Sequence, residues 1–374
     1  MNVSSHAQPY FPTSRLPHFH FFHFFHFSTF LLLATGTASG QLARPAPVAI
    51  DSSIAIDRTQ LVSTGDYSSG VTMDGVMSVG MGAGFEGIVR PWVQKSATGE
   101  WNRQVWVAAV RYERPGPIGL RVDAGLIPSP IGLANMMLRP QLNPTVSLPA
   151  SLFQSLPVVE LGQPRTTLLG AVYAYGANAN ISGRHWDARA AFIDTSPLRT
   201  RRIFAQTNPP RFNNVVVGAG VTPVVGVRVG GSVTRGGWER AGESPLITQN
   251  RDATIVTVES EVSYRYSRLL GEWVRDTLET GVGNVVASGW FVQGQQTITA
   301  RWFAAMRVER MAAPALTPLT TLDTQHLNGV EETVGFRLTP ELTIRADHRA
   351  RRIFGRPTFD QQIAVSAVWW RRWK

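Results

Sequence analysis

The sequence predicts an all-β fold, a transmembrane antiparallel up-and-down β-barrel, and three observations carry that expectation. Apolar and polar residues alternate with period two over segments of roughly ten residues, the length of a tilted strand that crosses a bilayer. Short turns and longer connections take turns along the chain, as they do when one barrel rim faces a compartment and the other faces outside. Aromatic residues gather at the ends of the alternating segments, where an amphipathic ring sits at headgroup depth.

Composition narrows the field. At 374 residues the chain exceeds the about 250 to 300 residues at which one soluble core stops growing, whereas a barrel grows by adding strands. Beyond the N-terminus no run of about 18 to 20 apolar residues occurs, so helical spans are not expected. There is no Cys, which removes disulfides and thiolate chemistry. The formal charge of +10 is an arginine surplus, with Lys only at 95 and 374. Those arginines alternate with apolar positions and do not cluster, so nucleic acid is not an expected partner.

Residues 1–40 read as a signal peptide: Arg15, an apolar run over 21–33 broken by His23 and His26, and the small residues Ala38-Ser39-Gly40 before Gln41. His18, His20, His23 and His26 fall in this removable segment, so no metal site is assigned to them, and no cofactor is expected elsewhere. Its loss removes one Arg and leaves about +9. Residues 41–84 form an N-terminal lead with a candidate first hairpin, 53–63 and 71–80, softened by Gly80, Gly82 and Gly84. Residues 85–374 form the barrel proper. Strands are expected at 88–95 and 105–113, joined by the polar stretch 96–102. In the second, Trp106, Ala108, Val110 and Tyr112 share one face; Arg111 and Glu113 take the other. Arg114-Pro115-Gly116-Pro117 reverses the chain into a strand at 120–127, with Arg121 and Asp123 on its polar side.

A connection rich in proline follows over 128–165, far longer than the usual link inside a compact domain, which marks function or a wrong assignment. Its entry, Ala124-Gly125-Leu126-Ile127-Pro128-Ser129-Pro130-Ile131-Gly132-Leu133, resembles the strand-end segment of the phosphate-selective porins of bacterial outer membranes. The resemblance covers these ten residues and, loosely, the hairpin layout. It implies a loop that folds into the barrel and narrows the pore, with Arg139 and Arg165, flanked by Asn135, Gln141 and Asn143, at the constriction. The residues by themselves equally fit a surface loop.

Later strands are expected in pairs at 166–177 and 185–193, 215–221 and 227–235, 254–266 and 269–276, and 285–293 and 299–309, then at 330–338, 342–351 and 363–373. Longer links at 194–214, 236–252, 277–284, 310–328 and 353–358 strictly alternate with short turns, which predicts long extracellular loops and short periplasmic turns. Counting from residue 88 gives fourteen strands; a hairpin in 53–84 makes sixteen. Sixteen is preferred, because the long connection then follows the fifth strand, as in the porins that the entry segment resembles.

Lipid offers no hydrogen-bond partners, and an Arg at mid-membrane on the lipid face costs about 2 to 4 kcal/mol. The polar faces are therefore expected to line an aqueous bore. The basic members are Arg111, Arg121, Arg189, Arg228, Arg265, Arg301, Arg307, Arg337, Arg345 and Arg349; the acidic ones are Glu113, Asp123, Asp187, Glu259, Glu261, Glu309, Glu331 and Asp347. The two signs nearly balance. Trp92, Trp106, Tyr112, Tyr264, Tyr266, Trp273, Trp290, Trp369 and Trp373 are assigned to the girdles. The chain ends on Lys374 after Trp373, a departure from the terminal aromatic that assembly machinery reads.

The function expected is a passive outer-membrane porin for small hydrophilic solutes, weakly favouring anions. Its partners would be outer-membrane lipid, the assembly machinery and, in a candidate homotrimer, its own copies. Two alternatives stand: a structural or adhesive barrel plugged by its own loop, and a barrel hydrolase. The hydrolase needs a nucleophile and a His base. Outside residues 1–40 the chain offers only His185, His326 and His348, with no Gly-x-Ser-x-Gly and no metal-spaced pair, so an enzyme is not expected.

Overall fold

The computed structural model describes residues 48–95, 99–158, 166–170, 173–199, 211–243, 245, 247–315 and 323–373. Sixteen strands form one closed antiparallel sheet in which each strand pairs with its neighbours in sequence. They are β1 (Val48–Leu61), β2 (Tyr67–Gly82), β3 (Phe85–Lys95), β4 (Trp101–Arg114), β5 (Gly119–Pro128), β6 (Tyr173–Ser182), β7 (Trp186–Ile193) and β8 (Asn214–Val224), then β9 (Val227–Glu239), β10 (Arg251–Tyr264), β11 (Ser267–Thr280), β12 (Gly283–Thr297), β13 (Trp302–Ala315), β14 (Asp323–Arg337), β15 (Leu342–Arg352) and β16 (Asp360–Trp373). β1 closes on β16, from Ile50 opposite Trp373 to Leu61 opposite Gln362. Closure leaves no sheet edge, so every ladder group finds a partner without water.

The first hairpin, β1 and β2, completes the barrel and settles the choice between fourteen and sixteen strands. Both strands run longer than the weak segments read at 53–63 and 71–80. The expected signal peptide, residues 1–40, lies outside the described residues.

Period-two alternation sorts the side chains as anticipated. Val217, Val334 and Val365 on the outer face are 57%, 51% and 53% exposed, while Glu259, Arg307, Glu331 and Arg345 point inward and are almost fully buried. Reversal of the sheet would put those charges in lipid at several kcal/mol each.

Several local readings are corrected. Arg265 lies in the two-residue turn between β10 and β11, at φ 52, with its guanidinium 5.2 Å from the Tyr264 ring; Arg301 lies in the turn before β13. Neither is an in-strand wall residue. The link read at 277–284 is a two-residue turn between Thr280 and Gly283, so long and short connections do not strictly alternate. Residues 166–170 precede β6 and belong to the long connection. Of the histidines outside residues 1–40, His326 sits in β14 and His348 is mid-strand in β15 on the outer face.

Trp92 and Trp106 are also not girdle residues. A register shift at Arg90/Pro91, where proline cannot donate to the ladder, makes Trp106 an extra residue opposite β3. One extra residue flips a side chain to the other face. Trp106 therefore points inward, as Trp92 does by its parity with Ile88 and Arg90; they are 2% and 3% exposed, stacked with centroids 4.5 Å apart, and Tyr173 stacks on Trp106 at 4.9 Å.

Candidate functional site

The site is the bore itself, and one chain segment dominates it. After β5 the chain turns inward. Gly132 has a positive φ, 77°, as that turn requires. A Cβ on Gly132 would stand 2.7 Å from Leu169 and 2.8 Å from Glu272, so only glycine lets the backbone approach that carboxylate. Glu272 accepts from the amides of Leu133 and Ala134, the latter at 3.1 Å. A 3-10 turn (Ala134–Leu138) and a short helix α1 (Ala150–Phe153) follow inside the barrel. Ile131, Met137, Leu152, Leu168 and Leu169 pack on inward-facing Ile255, Leu278, Phe291 and Met311 in one buried apolar cluster. This packing holds the segment against one side of the bore, and charged wall residues fix it.

Two groups of charges do the fixing. On β13 to β15, Arg307 is fully buried and donates to Thr145 Oγ1 at 2.9 Å, the Ser147 carbonyl at 3.0 Å and the Leu148 carbonyl at 3.2 Å, and pairs with Glu331. Glu331 accepts from the Ser147 amide at 2.7 Å, and Glu309 accepts from the Ala150 amide at 2.8 Å while pairing with Arg351. Arg345 donates to the carbonyls of Asn143 at 2.6 Å and Thr145 at 2.7 Å. Asn143 folds the segment on itself, its amide reaching the Ser147 carbonyl at 2.7 Å. Beside this group Asp347 accepts from Thr333 at 2.5 Å, and Arg349 bonds Gln362.

On β1 to β3, Arg139 of the segment lies between Asp51 at 3.3 Å and Asp74 at 2.9 Å, and Asp74 also pairs with Arg90 at 2.7 Å. Arg90 reaches the Tyr173 hydroxyl at 3.1 Å and lies 4.7 Å from the Trp106 ring. With its amide oxygen turned toward Arg139, Gln141 accepts from that guanidinium at 2.7 Å and donates to Ser53 at 2.9 Å. Arg139 is thus clamped, only 6% exposed. Asn135 bonds only its own turn, at the Ile131 carbonyl. Arg165 lies outside the described residues.

The wall from β4 to β10 carries its own charged pairs. Asp123 pairs with Arg111 and Arg121, each at 2.7 Å; Arg228 pairs with Asp187 at 2.8 Å and Glu259 at 3.0 Å; Arg189 also reaches Glu259, at 2.9 Å. A Cβ on Gly220 would stand 2.7 Å from both Arg228 and Asp187, so glycine lets that pair lie flat on the wall. Glu261 pairs with Arg268 at 3.0 Å.

At the rim where β1 begins and β16 ends, a cavity of about 890 Å³ opens between residues 140–144 of the segment and the strand ends. Arg268, Arg301, Arg337 and Arg345 line it, with Trp370 and Phe303. Asp51, Asp74, Arg90, Glu272 and Arg268 were not among the sequence candidates. Asp74 and Arg90 escaped because they sit among glycine and methionine or beside a proline bulge, where the alternation is weak. Glu272 and Asp276 are inward, yet Arg275 between them points outward and blurs the pattern.

No family model and no curated protein matches the sequence. Solved structures do. The OmpF complex with daunomycin from Salmonella typhi aligns with TM-score 0.60 at 10% identity, covering 87% of this chain and 97% of that one. The trimer form of OmpT, an outer membrane protein of Vibrio cholerae, gives 0.55 at 9% over 87% and 99%. An anion-selective porin from Comamonas acidovorans gives 0.50 at 9% over 87% and 98%. At such identities the likeness concerns architecture: this chain has the closed sixteen-strand barrel fold of the outer-membrane porins.

Proposed function

We propose that this chain is an outer-membrane porin, a passive channel for small hydrophilic solutes that weakly favours anions. The observation that carries the reading is the segment after β5, drawn into a closed barrel and clamped to one side of it, opposite a wall of inward charged pairs from β4 to β10. A bore narrowed in this way passes small solutes and retards large ones, and the charges on its wall replace part of a solute's hydration. Pairing of most wall arginines with carboxylates argues for weak, not strong, selectivity. Lipid would cover the outer belt, the assembly machinery would insert it, and the trimer form of the Vibrio cholerae structure supports a homotrimer as its assembly.

A second reading has a specific observation behind it: Arg307, Glu331 and Arg345 are almost fully buried under the segment, which suits a bore shut by its own chain. Planar-bilayer recording separates the two. Stepwise conductance with a reversal potential shifted modestly toward that of the anion supports the porin; silence from a heat-resistant folded barrel supports the plug.

A further inference from the structure

We propose that the cavity at the rim where β1 begins and β16 ends is a binding site for small organic phosphates, phosphomonoesters borne on a planar ring. Its volume of about 890 Å³ suits a small organic molecule and is far more than a lone phosphate fills. Four guanidinium groups reach it, and no carboxylate is among the described residues that line it. Two of the four are occupied: Arg268 pairs with Glu261 at 3.0 Å, and Arg345 gives its donors to the segment's carbonyls.

Arg301 and Arg337 are different. Neither has a carboxylate within ion-pair distance among the described residues, and the only side-chain bond of Arg337 is a long one, 3.3 Å, to the Ala300 carbonyl. Their backbones pair where β14 ends and the turn leads into β13, the Arg337 amide donating to the Arg301 carbonyl at 2.8 Å. Two guanidinium forks borne on paired positions of one cavity can both turn to the oxygens of a phosphate dianion, in a geometry that single ammonium groups cannot reproduce. Arg337 is held in place by the Phe303 ring, 5.1 Å beneath its guanidinium. Phe303 in turn lies flat because Gly335 beside it has no side chain; a Cβ there would collide with the ring. Ile298, Leu338 and Trp370 supply an apolar side to the same cavity, which a sugar-free aromatic or heterocyclic ring would cover.

This deepens the channel reading by naming a solute class and rests on it only for the route by which the ligand arrives. Binding itself does not require conduction. The test is calorimetric titration of the purified full chain in nonionic detergent with phenyl phosphate, inorganic phosphate and the neutral phenyl glucoside. Phenyl phosphate should bind about tenfold more tightly than inorganic phosphate, the glucoside should give no heat, and R301A/R337A should weaken phenyl phosphate by at least about tenfold. Equal affinity in the double variant, or no binding of phenyl phosphate at millimolar concentration, overturns the site. Should the double variant fail to fold, R301A alone, in an exposed turn, must still weaken binding severalfold. A barrel that conducts without binding sinks this inference alone; one that binds without conducting sinks the channel reading alone.

Discussion

Arg307 on β13 and Glu331 on β14 stand directly opposite each other in the sheet, pair across it, and both hold Ser147 of the inserted segment. The pair is a wall feature and a latch at once. Removing one partner leaves the other charged, buried and uncompensated, which costs about 3 to 5 kcal/mol. E331A should therefore lower the denaturant midpoint sharply, whereas R307M/E331M, which removes both charges, should cost much less. Equal destabilisation by the single and double variants in vesicle unfolding would show that the pair does not hold the segment.

Gly132 is the hinge by which the chain enters the barrel. Valine there would combine an unfavourable positive φ with collisions at Leu169 and Glu272. G132V should displace the entry turn, lower stability by about 1 to 3 kcal/mol and enlarge the conductance step. An unchanged conductance in a folded variant would detach the segment from the permeation path.

Among the described residues the outer belt carries an ionisable pair where apolar residues are the rule. Glu332 and His348 face outward from the middle of β14 and β15, with Nδ1 4.0 Å from Oε2 and side chains 61% and 48% exposed, between Val330, Val334 and Ile363. A carboxylate in that position costs on the order of 1 to 2 kcal/mol against lipid. E332L/H348L should accordingly unfold from vesicles at higher urea. A lower midpoint together with loss of the oligomer band on a mild-detergent gel would instead place the pair at a contact between copies.

The aromatic stack is a stability element. W106A removes a fully buried indole from between Trp92 and Tyr173 and takes away the ring under Arg90. The cost should be about 3 to 5 kcal/mol, read as a fall in the urea midpoint with no change in reversal potential. A midpoint equal to that of the parent would mean that the stack collapses without loss.

Much of this was legible in the sequence because lipid makes alternation obligatory. Arg307, Glu331 and Val334 could be assigned to faces from parity alone, whereas the proline-rich connection after Ile127 fitted a surface loop as well as the inserted segment it forms. Parity fails where the backbone is irregular: Pro91 turned Trp106 inward, and a two-residue turn placed Arg265 outside the wall. Partners were beyond reach as well. Nothing in the sequence around Arg139 names Asp51 and Asp74, because those contacts join residues far apart along the chain.

Single-channel recording of the parent and of R307M/E331M in one planar bilayer system tests the central claim most directly. The parent should show small stepwise openings, and the loosened latch should give larger steps with the barrel still heat-resistant. Steps of equal size in both, or silence from both, would contradict a bore narrowed by the segment that these two residues hold.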